Sequence, residues 1–422
     1  MTRPDPKTVV VGLGYVGLPL AVRAVQTGDA VVGLDVDARR VDALAAGSSY
    51  VEDIPDATLR ACLDSGRFLP TTDPEACVGF DVAVITVPTP LAGGSPDLSY
   101  VEAASRTLAG HLRPGALVVL ESTSYPGTTQ EVVGPLLEAG SGLTAGRDFA
   151  LGYSPERIDP GNREWTLETT PKVISGVDAA SLEEVRRFYD RIVVRTVAVP
   201  SPREAELAKL LENTFRHVNI ALVNELAMFA SDLGIDIWAT IDAAATKPFG
   251  FLRFSPGPGV GGHCLPIDPS YLSWSVRKDL GRRFRFVELA NDINEHMPDH
   301  VVRRVMLGLN RRGKAVNGAR VLVLGLSYKR NTSDAREAPA AGVVSRLLAL
   351  GAKVSACDPL VRDVDLPHGV DRVELDATVL ADSDAVVLLT DHDAFDYELV
   401  TAHSSYVLDT RNRLKGDCVE LL

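Results

Sequence analysis

The sequence predicts an α/β protein in which two α/β segments flank a helical middle. In the first 200 residues, short β-branched runs alternate with helical patterns, which is typical of a parallel sheet covered by helices. Residues 203–233 contain neither Gly nor Pro and place apolar residues at helical spacing, so they predict one long helix that Gly234 ends. The strand–helix alternation returns after Gly313. We therefore predict three domains with these bounds: 1–200, 201–312 and 313–422.

The two α/β segments are predicted from individual strand runs. The helical middle continues to about residue 312 and is interrupted by the Gly/Pro-rich stretch 249–269. The predicted strands are 8–11, 30–34, 82–87, 117–120, 149–153 and 192–197 in the first segment, and 320–325, 353–357, 385–389 and 406–409 in the last.

Composition and charge exclude several classes of function. The net charge of −13 argues against a nucleic-acid-binding or anionic-membrane-binding surface, since either needs a broad basic field. No apolar run is long enough to span a membrane, and the N-terminus has no signal-peptide pattern. Five cysteines without CxxC pairing favour free thiols over disulfides or a zinc site. We expect a cytoplasmic protein without a bound metal.

A glycine-rich turn follows the first predicted strand and opens the first predicted helix. Gly12, Gly14 and Gly17 form GxGxxG in the context that dinucleotide binding requires. The first glycine permits the turn, the second lets a pyrophosphate approach the backbone, and the third allows close packing of helix on strand. Asp35 closes the second strand, where a carboxylate binds a ribose 2′-hydroxyl and repels a 2′-phosphate, while Arg40 is a further ribose contact. The pattern predicts a Rossmann domain that prefers NAD to NADP.

The segment 256–269 is the most informative in the middle domain. Four glycines fall within residues 257–262, a cost in backbone entropy that a chain accepts where it turns tightly or lies against a ligand. Cys264 follows at once, with Asp268 four residues later. An isolated cysteine is usually an inert buried residue, but a glycine loop exposes this one and polar groups flank it. His263 is adjacent, although neighbours in a loop often point apart, and its role stays open.

Three polar fragments are weaker signals. Lys209 and Asn213 lie four residues apart on one face of the long helix, which by itself is typical of a solvated face. The fragments 121–127 and 153–157 each follow a predicted strand, at the edge where such sheets bind ligands. Each alone is as compatible with turn chemistry as with catalysis.

Together these motifs resemble the UDP-glucose/GDP-mannose dehydrogenase family over nearly the whole chain. The matching motifs are GxGxxG, Ser122-Thr123, Pro155-Glu156, Glu206-Leu207-Ala208-Lys209 with Asn213, and Gly259-x-Gly261-Gly262-x-Cys264-x-Pro266-x-Asp268. The resemblance implies an NAD-binding Rossmann domain, a central helical dimerisation domain with the long helix, and a C-terminal Rossmann-like α/β domain for the nucleotide sugar. It also implies a homodimer formed through the central helix.

The resemblance assigns roles to individual residues. The expected catalytic residues are Cys264, Lys209, Asn213, Asp268, Glu156 and Thr123. The expected cofactor contacts are Gly12, Gly14, Tyr15, Val16, Gly17, Asp35, Arg40, Thr89, Ser122, Thr123 and Arg336. The expected substrate contacts are Glu156, Arg157, Lys209, Asn213, Gly261, Lys329 and Arg411.

The implied reaction oxidises a sugar C6 alcohol to a carboxylate. This change removes four electrons, so two NAD molecules are reduced per sugar. The base in the first step is Lys209 or a water held by Asp268. Cys264 then forms a thiohemiacetal and a thioester. Lys209 and Asn213 stabilise the oxyanions, while Glu156 and Thr123 position the hydrolytic water.

The substrate is less well determined than the reaction. The fragments 154–157, 217–225 and 246–251 resemble most the sequences of UDP-N-acetylglucosamine 6-dehydrogenases. This favours UDP-N-acetylglucosamine as the substrate, with UDP-glucose or TDP-glucose as the alternative. Two other classes remain: a two-electron hydroxyacid-type dehydrogenase and a non-catalytic NAD-dependent scaffold or sensor. The NADH formed per mole of nucleotide sugar separates these readings, with two, one and none expected.

Overall fold

The structure is a computed structural model and describes residues 6–159, 162, 164–262, 265 and 267–422. The strands are β1 (Lys7–Val11), β2 (Ala30–Leu34), β3 (Phe68–Thr71), β4 (Val82–Ile85), β5 (Leu91–Ala92), β6 (Ser95–Pro96), β7 (Leu117–Leu120), β8 (Ala150–Tyr153), β9 (Lys172–Gly176), β10 (Thr196–Ala198), β11 (Arg320–Leu324), β12 (Lys353–Cys357), β13 (Asp371–Arg372), β14 (Ala385–Leu388), β15 (Val407–Asp409) and β16 (Val419–Leu421). The helices are α1 (Gly17–Gln26), α2 (Ala38–Ala45), α3 (Asp56–Asp64), α4 (Ser99–Ala109), α5 (Gly134–Ser141), α6 (Ala179–Ile192), α7 (Pro202–Leu233), α8 (Ile237–Ala245), α9 (Asp268–Leu280), α10 (Arg285–Arg311), α11 (Pro339–Ala349), α12 (Ala377–Asp382) and α13 (Tyr397–His403).

The chain divides into two compact units. The first comprises the described residues up to Glu212 together with Ser270–Arg282, and the second comprises the described residues of 213–269 and 283–422. The first unit therefore takes in the start of α7 and most of α9. The predicted domain bounds at 200 and 312 stay a prediction.

The first unit is built on an eight-stranded sheet with the order β10-β9-β8-β7-β4-β1-β2-β3. Its central strands are parallel, as predicted, and they are buried on both faces. Residues such as Val10, Val84 and Phe188 belong to one core cluster. Each such side chain contributes roughly 1.5–3 kcal/mol when fully buried.

One edge of this sheet departs from the prediction. The run 192–197 was expected to be a strand, but Ile192 is the last residue of α6 and β10 begins only at Thr196. The side chain of Asp178 caps α6 by accepting from the Ser181 N–H at 2.7 Å. The amphipathic pattern of α6 carries its buried face as far as Ile192, which overrides the strand preference of that residue. The strand β9, absent from the prediction, pairs antiparallel with β8.

The second unit contains a six-stranded parallel sheet with the order β13-β12-β11-β14-β15-β16. Its core lies between this sheet, α10 and α11, and includes Val305, Val323 and Val343. The helical middle is confirmed, since α7, α8 and α10 lie where helices were predicted. The α/β, helical and α/β arrangement is therefore confirmed as the fold class. Among the described helices, none is both long enough and apolar enough to cross a membrane.

Candidate active site

Most predicted site residues of the first unit lie at the carboxyl edge of its sheet. The strands β8, β7, β4, β1 and β2 are neighbours in that order, and their carboxyl ends meet at one edge. The segment that follows each strand carries predicted residues. In the same order they are Glu156 and Arg157, Ser122 and Thr123, Thr89, the turn Gly12–Gly17, and Asp35. This edge is where open parallel sheets bind their ligands.

The turn between β1 and α1 is closed by direct backbone packing. A Cβ atom at Gly17 would lie 1.8 Å from the Gly12 carbonyl oxygen and 2.5 Å from Thr86 Oγ1. Gly12 has φ +93°, and the Thr86 hydroxyl donates to its carbonyl at 2.7 Å. Both positions require glycine because any side chain would separate helix from strand.

The second glycine of the motif faces open space. A Cβ at Gly14 would meet no atom within 4 Å, and Tyr15 and Val16 beside it are half-buried. The backbone at this point is followed at once by the N-terminus of α1, where N–H groups without helical partners favour an anion. The turn therefore fits the pyrophosphate of a dinucleotide.

Asp35 is buried just beyond β2 and is tied to the glycine turn. Its carboxylate accepts from the Leu13 N–H at 2.8 Å and from the Asp37 N–H at 2.9 Å. Arg40 is half-exposed, with Nη1 3.8 Å from Asp35 Oδ2. A carboxylate offers about four lone-pair sites, so Asp35 retains capacity for ribose hydroxyls.

The neighbouring loops place hydroxyl groups at the same edge. Ser122 directs its Oγ to the Val87 carbonyl at 2.8 Å, which joins the segment after β7 to the segment after β4. Thr123 is half-buried next to it, and Thr89 is buried.

Glu156 and Lys209 form the charged centre of the first unit's site. The Lys209 ammonium donates to the Glu156 carbonyl at 2.6 Å and lies 3.7 Å from its carboxylate Oε2. The other carboxylate oxygen accepts from the Ile158 N–H. Burial raises the pKa of Glu156, while the charges of Lys209 and Lys172 oppose that rise. A carboxylate whose pKa lies above its usual range is suited to exchange a proton with water.

Arg157 is engaged inside the first unit. Its guanidinium donates to both carboxylate oxygens of Glu212 and to the Pro171 carbonyl, at 2.5–3.2 Å. These contacts attach the segment after β8 to the helix that carries Lys209. The direct substrate contact expected of Arg157 stays a prediction.

In the second unit, Asn213 and Asp268 are paired. The Asn213 amide donates to Asp268 Oδ2 at 2.5 Å, and both residues are buried. Lys209 and Asn213 occupy consecutive turns of α7, as predicted. Cys264, expected as the nucleophile, and its neighbour His263 lie outside the described residues.

The glycines that precede the cysteine pack on the third predicted domain. A Cβ at Gly261 would lie 2.7 Å from Pro339 Cδ and 2.9 Å from Tyr328 Cβ. Gly262, at φ +86°, lies against the Tyr328 ring. The close approach of two backbone segments explains these glycines, and it brings Gly261 beside the segment that carries Lys329.

Lys329 and Arg411 are both fixed by hydrogen bonds to neighbouring segments of the second unit. The Lys329 carbonyl accepts from Ser327 Oγ at 2.8 Å, and that hydroxyl lies 3.1 Å from the buried His392 Nε2. The Arg411 Nε donates to the Leu389 carbonyl at 2.7 Å. Burial lowers the pKa of Arg411, and the nearby acids Asp391 and Asp409 oppose that shift.

The remaining cofactor candidate, Arg336, is paired locally. Its guanidinium donates to both Asp334 carboxylate oxygens, at 2.9 and 2.6 Å. Its predicted contact with the cofactor stays a prediction.

Three residues of the first unit were missed by sequence reasoning. Thr86 was absorbed into an overlong strand, although a hydroxyl at a strand end is a usable signal. Glu206 was quoted only as part of a motif, yet its buried carboxylate accepts from the backbone N–H groups of Gly127 at 2.5 Å and Thr129 at 2.9 Å. Lys172 begins β9, a strand that was not predicted, so no local signal pointed to it.

Comparison with known proteins decides the family. Family models for the NAD-binding, central and UDP-binding domains of UDP-glucose/GDP-mannose dehydrogenases match residues 6–193, 203–296 and 322–416. The chain belongs to the UDP-glucose/GDP-mannose dehydrogenase family. As a member of this family it is an NAD-dependent nucleotide-sugar dehydrogenase. This sets aside both the hydroxyacid-type dehydrogenase and the scaffold.

The relatives of this dehydrogenase act on different sugars. The UDP-N-acetyl-D-mannosamine dehydrogenase of Pyrococcus horikoshii is 36% identical, with 97% of this chain and 96% of the relative covered. The UDP-N-acetyl-D-glucosamine 6-dehydrogenase of Pseudomonas aeruginosa is also 36% identical, with 93% and 92% covered. The solved UDP-glucose dehydrogenase of Pyrobaculum islandicum is 31% identical, with a TM-score of 0.88 and 100% and 98% covered. The family resemblance is confirmed, and the sugar is left open.

Proposed function

We propose that this chain oxidises the C6 hydroxyl of a UDP-hexose to a carboxylate in two NAD-dependent steps, with UDP-N-acetylglucosamine as the preferred donor. The observation that carries the proposal is the placement of Lys209 and Asn213 on consecutive turns of α7. The first lies at the buried Glu156 carboxylate and the second at the buried Asp268 carboxylate. Amide and ammonium donors backed by carboxylates suit a reaction that passes through oxyanions.

NAD is the cofactor that the turn between β1 and α1 fits, and when bound it accepts the hydride that leaves C6. Oxidation of an alcohol to a carboxylate removes four electrons, so each sugar requires two NAD molecules as hydride acceptors. In this proposal Gly12, Gly14, Tyr15, Val16 and Gly17 hold the pyrophosphate region. The remaining cofactor contacts are Asp35, Arg40, Thr89, Ser122, Thr123 and Arg336.

The chain's own residues handle protons and the covalent step. In the first oxidation, Lys209 or a water held by Asp268 takes the C6 hydroxyl proton. The Cys264 thiolate then attacks the aldehyde carbon and forms a C–S bond, so the aldehyde is not released between the two oxidations. Lys209 and Asn213 donate to the developing oxyanion, and such donors are typically worth about 3 kcal/mol each.

Hydrolysis completes the reaction. Loss of a second hydride from C6 first converts the thiohemiacetal into a thioester. Water then adds to the thioester carbon, the C–S bond breaks, the cysteine thiolate is restored and the sugar carboxylate leaves. Glu156, with Thr123, positions this water and takes its proton. The raised pKa of Glu156 supports that role, since a stronger base removes the proton more readily.

The substrate is proposed to lie against Gly261, Lys329, Arg411 and Arg157. The two relatives named above as acting on acetamido sugars support a 2-acetamido donor. A pocket that hydrogen-bonds an acetamido group leaves polar groups unpaired when glucose binds. Each such loss typically costs about 1–3 kcal/mol, or roughly five- to a hundred-fold in specificity.

A donor panel tests the proposal. We expect two NADH per mole of UDP-N-acetylglucosamine and a higher kcat/KM than for UDP-N-acetylmannosamine, UDP-glucose or TDP-glucose. Cys264→Ala should abolish carboxylate formation while NAD affinity stays near that of wild type. Carboxylate production by this variant would refute the covalent mechanism, whereas a preference for a glucose donor would refute only the choice of sugar.

We further propose that the active species is a homodimer formed through α7. In the part of α7 that belongs to the second unit, five large apolar side chains are 44–72% exposed, and at 100° per residue they lie within an arc of about 60°. They are Phe215, Leu222, Leu226, Phe229 and Leu233. A continuous exposed apolar stripe of this kind is typical of a protein interface.

A cytoplasmic location completes the proposal. Cys62, Cys77 and Cys357 are free and buried, which suits a reducing compartment.

A further inference from the structure

A buried cluster of charges lies behind Glu156. The Lys172 ammonium is 3.0 Å from Glu121 Oε1, and the two side chains are 4% and 1% exposed. The same ammonium donates to the Pro155 carbonyl at 3.1 Å. Lys172 thus connects a carboxylate at the end of β7 with the backbone that leads into Glu156.

The cluster is closed by an aromatic residue. The Tyr189 hydroxyl donates to Glu121, and the Lys172 ammonium lies 5.2 Å from the centre of the Tyr189 ring. Burial and the Glu121 charge raise the pKa of Tyr189 well above its usual value, so its hydroxyl remains a donor. The Glu121 charge is therefore compensated from two sides.

Two lysines bind consecutive carbonyl groups. Lys172 donates to Pro155 O, and Lys209 donates to Glu156 O at 2.6 Å. They come from different elements, β9 and α7, so the two peptide groups are held from two directions. We propose that Lys172, with Glu121, is a positioning residue for Glu156: it fixes the turn and supplies a second cation that keeps Glu156 ionised for thioester hydrolysis. This inference rests on the proposed function.

The charges around Glu156 predict in which direction its pKa moves when each neighbour is removed. Burial raises the pKa of Glu156, the charges of Lys209 and Lys172 lower it, the Ile158 N–H lowers it, and Glu121 raises it. The guanidinium of the adjacent Arg157 is directed to Glu212. Removing Lys172 therefore raises the pKa of Glu156. Removing the negative charge of Glu121 leaves the positive charge of Lys172 less compensated, and this lowers the pKa of Glu156.

The experiment compares Lys172→Met with Glu121→Gln. Decay of the covalent sugar–enzyme adduct is followed by rapid quench and intact-protein mass spectrometry, with UDP-N-acetylglucosamine and excess NAD between pH 5 and 9. A second charge nearby typically shifts a pKa by one or more units. We expect the acid limb of the decay rate to move up by about one pH unit in Lys172→Met and down in Glu121→Gln.

Asp29→Asn serves as the matched control. Asp29 is fully buried and pairs with Arg191 at 2.5 Å, but it immediately precedes β2 and so lies at the opposite, amino edge of the sheet. Its loss should lower stability without moving the profile. If Lys172→Met does not fold, Glu121→Gln decides alone: a downward shift supports the proposal.

Unchanged profiles, or shifts in the same direction, overturn the role of Lys172 while the reaction itself stands. If wild type forms no adduct and no carboxylate from any donor, the proposed function fails and this inference fails with it.

Discussion

Substitution of Gly14 and Gly17, the second and third glycines of the turn between β1 and α1, by alanine should have opposite effects on the stability of the cofactor-free protein. At Gly17 the new Cβ would lie 1.8 Å from the Gly12 carbonyl oxygen, so the helix or the turn must move by more than about 1 Å. At Gly14 the new Cβ would meet no atom within 4 Å, and the residue does not have positive φ. The two variants therefore separate packing within the fold from contact with the ligand.

The magnitudes follow from these distances. Overpacking of this kind typically costs about 1–3 kcal/mol, so we expect Gly17→Ala to lower the unfolding temperature by several degrees. Gly14→Ala restricts the unfolded chain and should stabilise the cofactor-free protein by about 0.4–1 kcal/mol. Its methyl group would occupy the space of the pyrophosphate, and we expect NAD affinity to fall at least tenfold, or about 1.4 kcal/mol.

Thermal unfolding without NAD and calorimetric titration with NAD measure the two effects separately. The reasoning is refuted if Gly14→Ala binds NAD as tightly as wild type, because the open face of the turn would then not be the pyrophosphate site. Equal destabilisation of both variants would contradict the packing distances.

Three further predictions follow from the site and the surface. Glu156→Gln should accumulate a sugar–enzyme adduct that intact-protein mass spectrometry detects, and free enzyme throughout turnover would count against its role in hydrolysis. Asp35→Ser should narrow the gap between the kcat/KM values for NAD and NADP, because the 2′-phosphate no longer meets a carboxylate; equal use of both by wild type would show the assignment to be wrong. Leu226→Glu together with Phe229→Glu should convert a dimer to a monomer in sedimentation experiments, since both side chains are exposed on α7, and an unchanged mass would exclude this face as the interface.

The charged cluster behind Glu156 could not be predicted from the sequence. Lys172 lies 51 positions from Glu121 in the chain. It begins β9, and no local sequence pattern predicts that this strand pairs antiparallel with β8. The substrate contact expected of Arg157 stays a prediction, and its pairing with Glu212, 55 residues away, was not foreseen. Side-chain partners at such separations depend on how strands and helices come together, and a single sequence does not contain that information.

The sequence by itself determined the features that depend on local conformation and on chemistry at short spacing. Glycine freedom, helix periodicity and strand endings are properties of neighbouring residues. The sequence alone therefore indicated the GxGxxG turn, Asp35 at the end of the second strand, the long helix without Gly or Pro, and the glycine-rich segment before Cys264. Only the tertiary structure decided that Lys209 lies at Glu156, that Asn213 pairs with Asp268, and that Gly261 packs against Tyr328. The two polar contacts arise because burial forces polar groups far apart in the chain to satisfy one another.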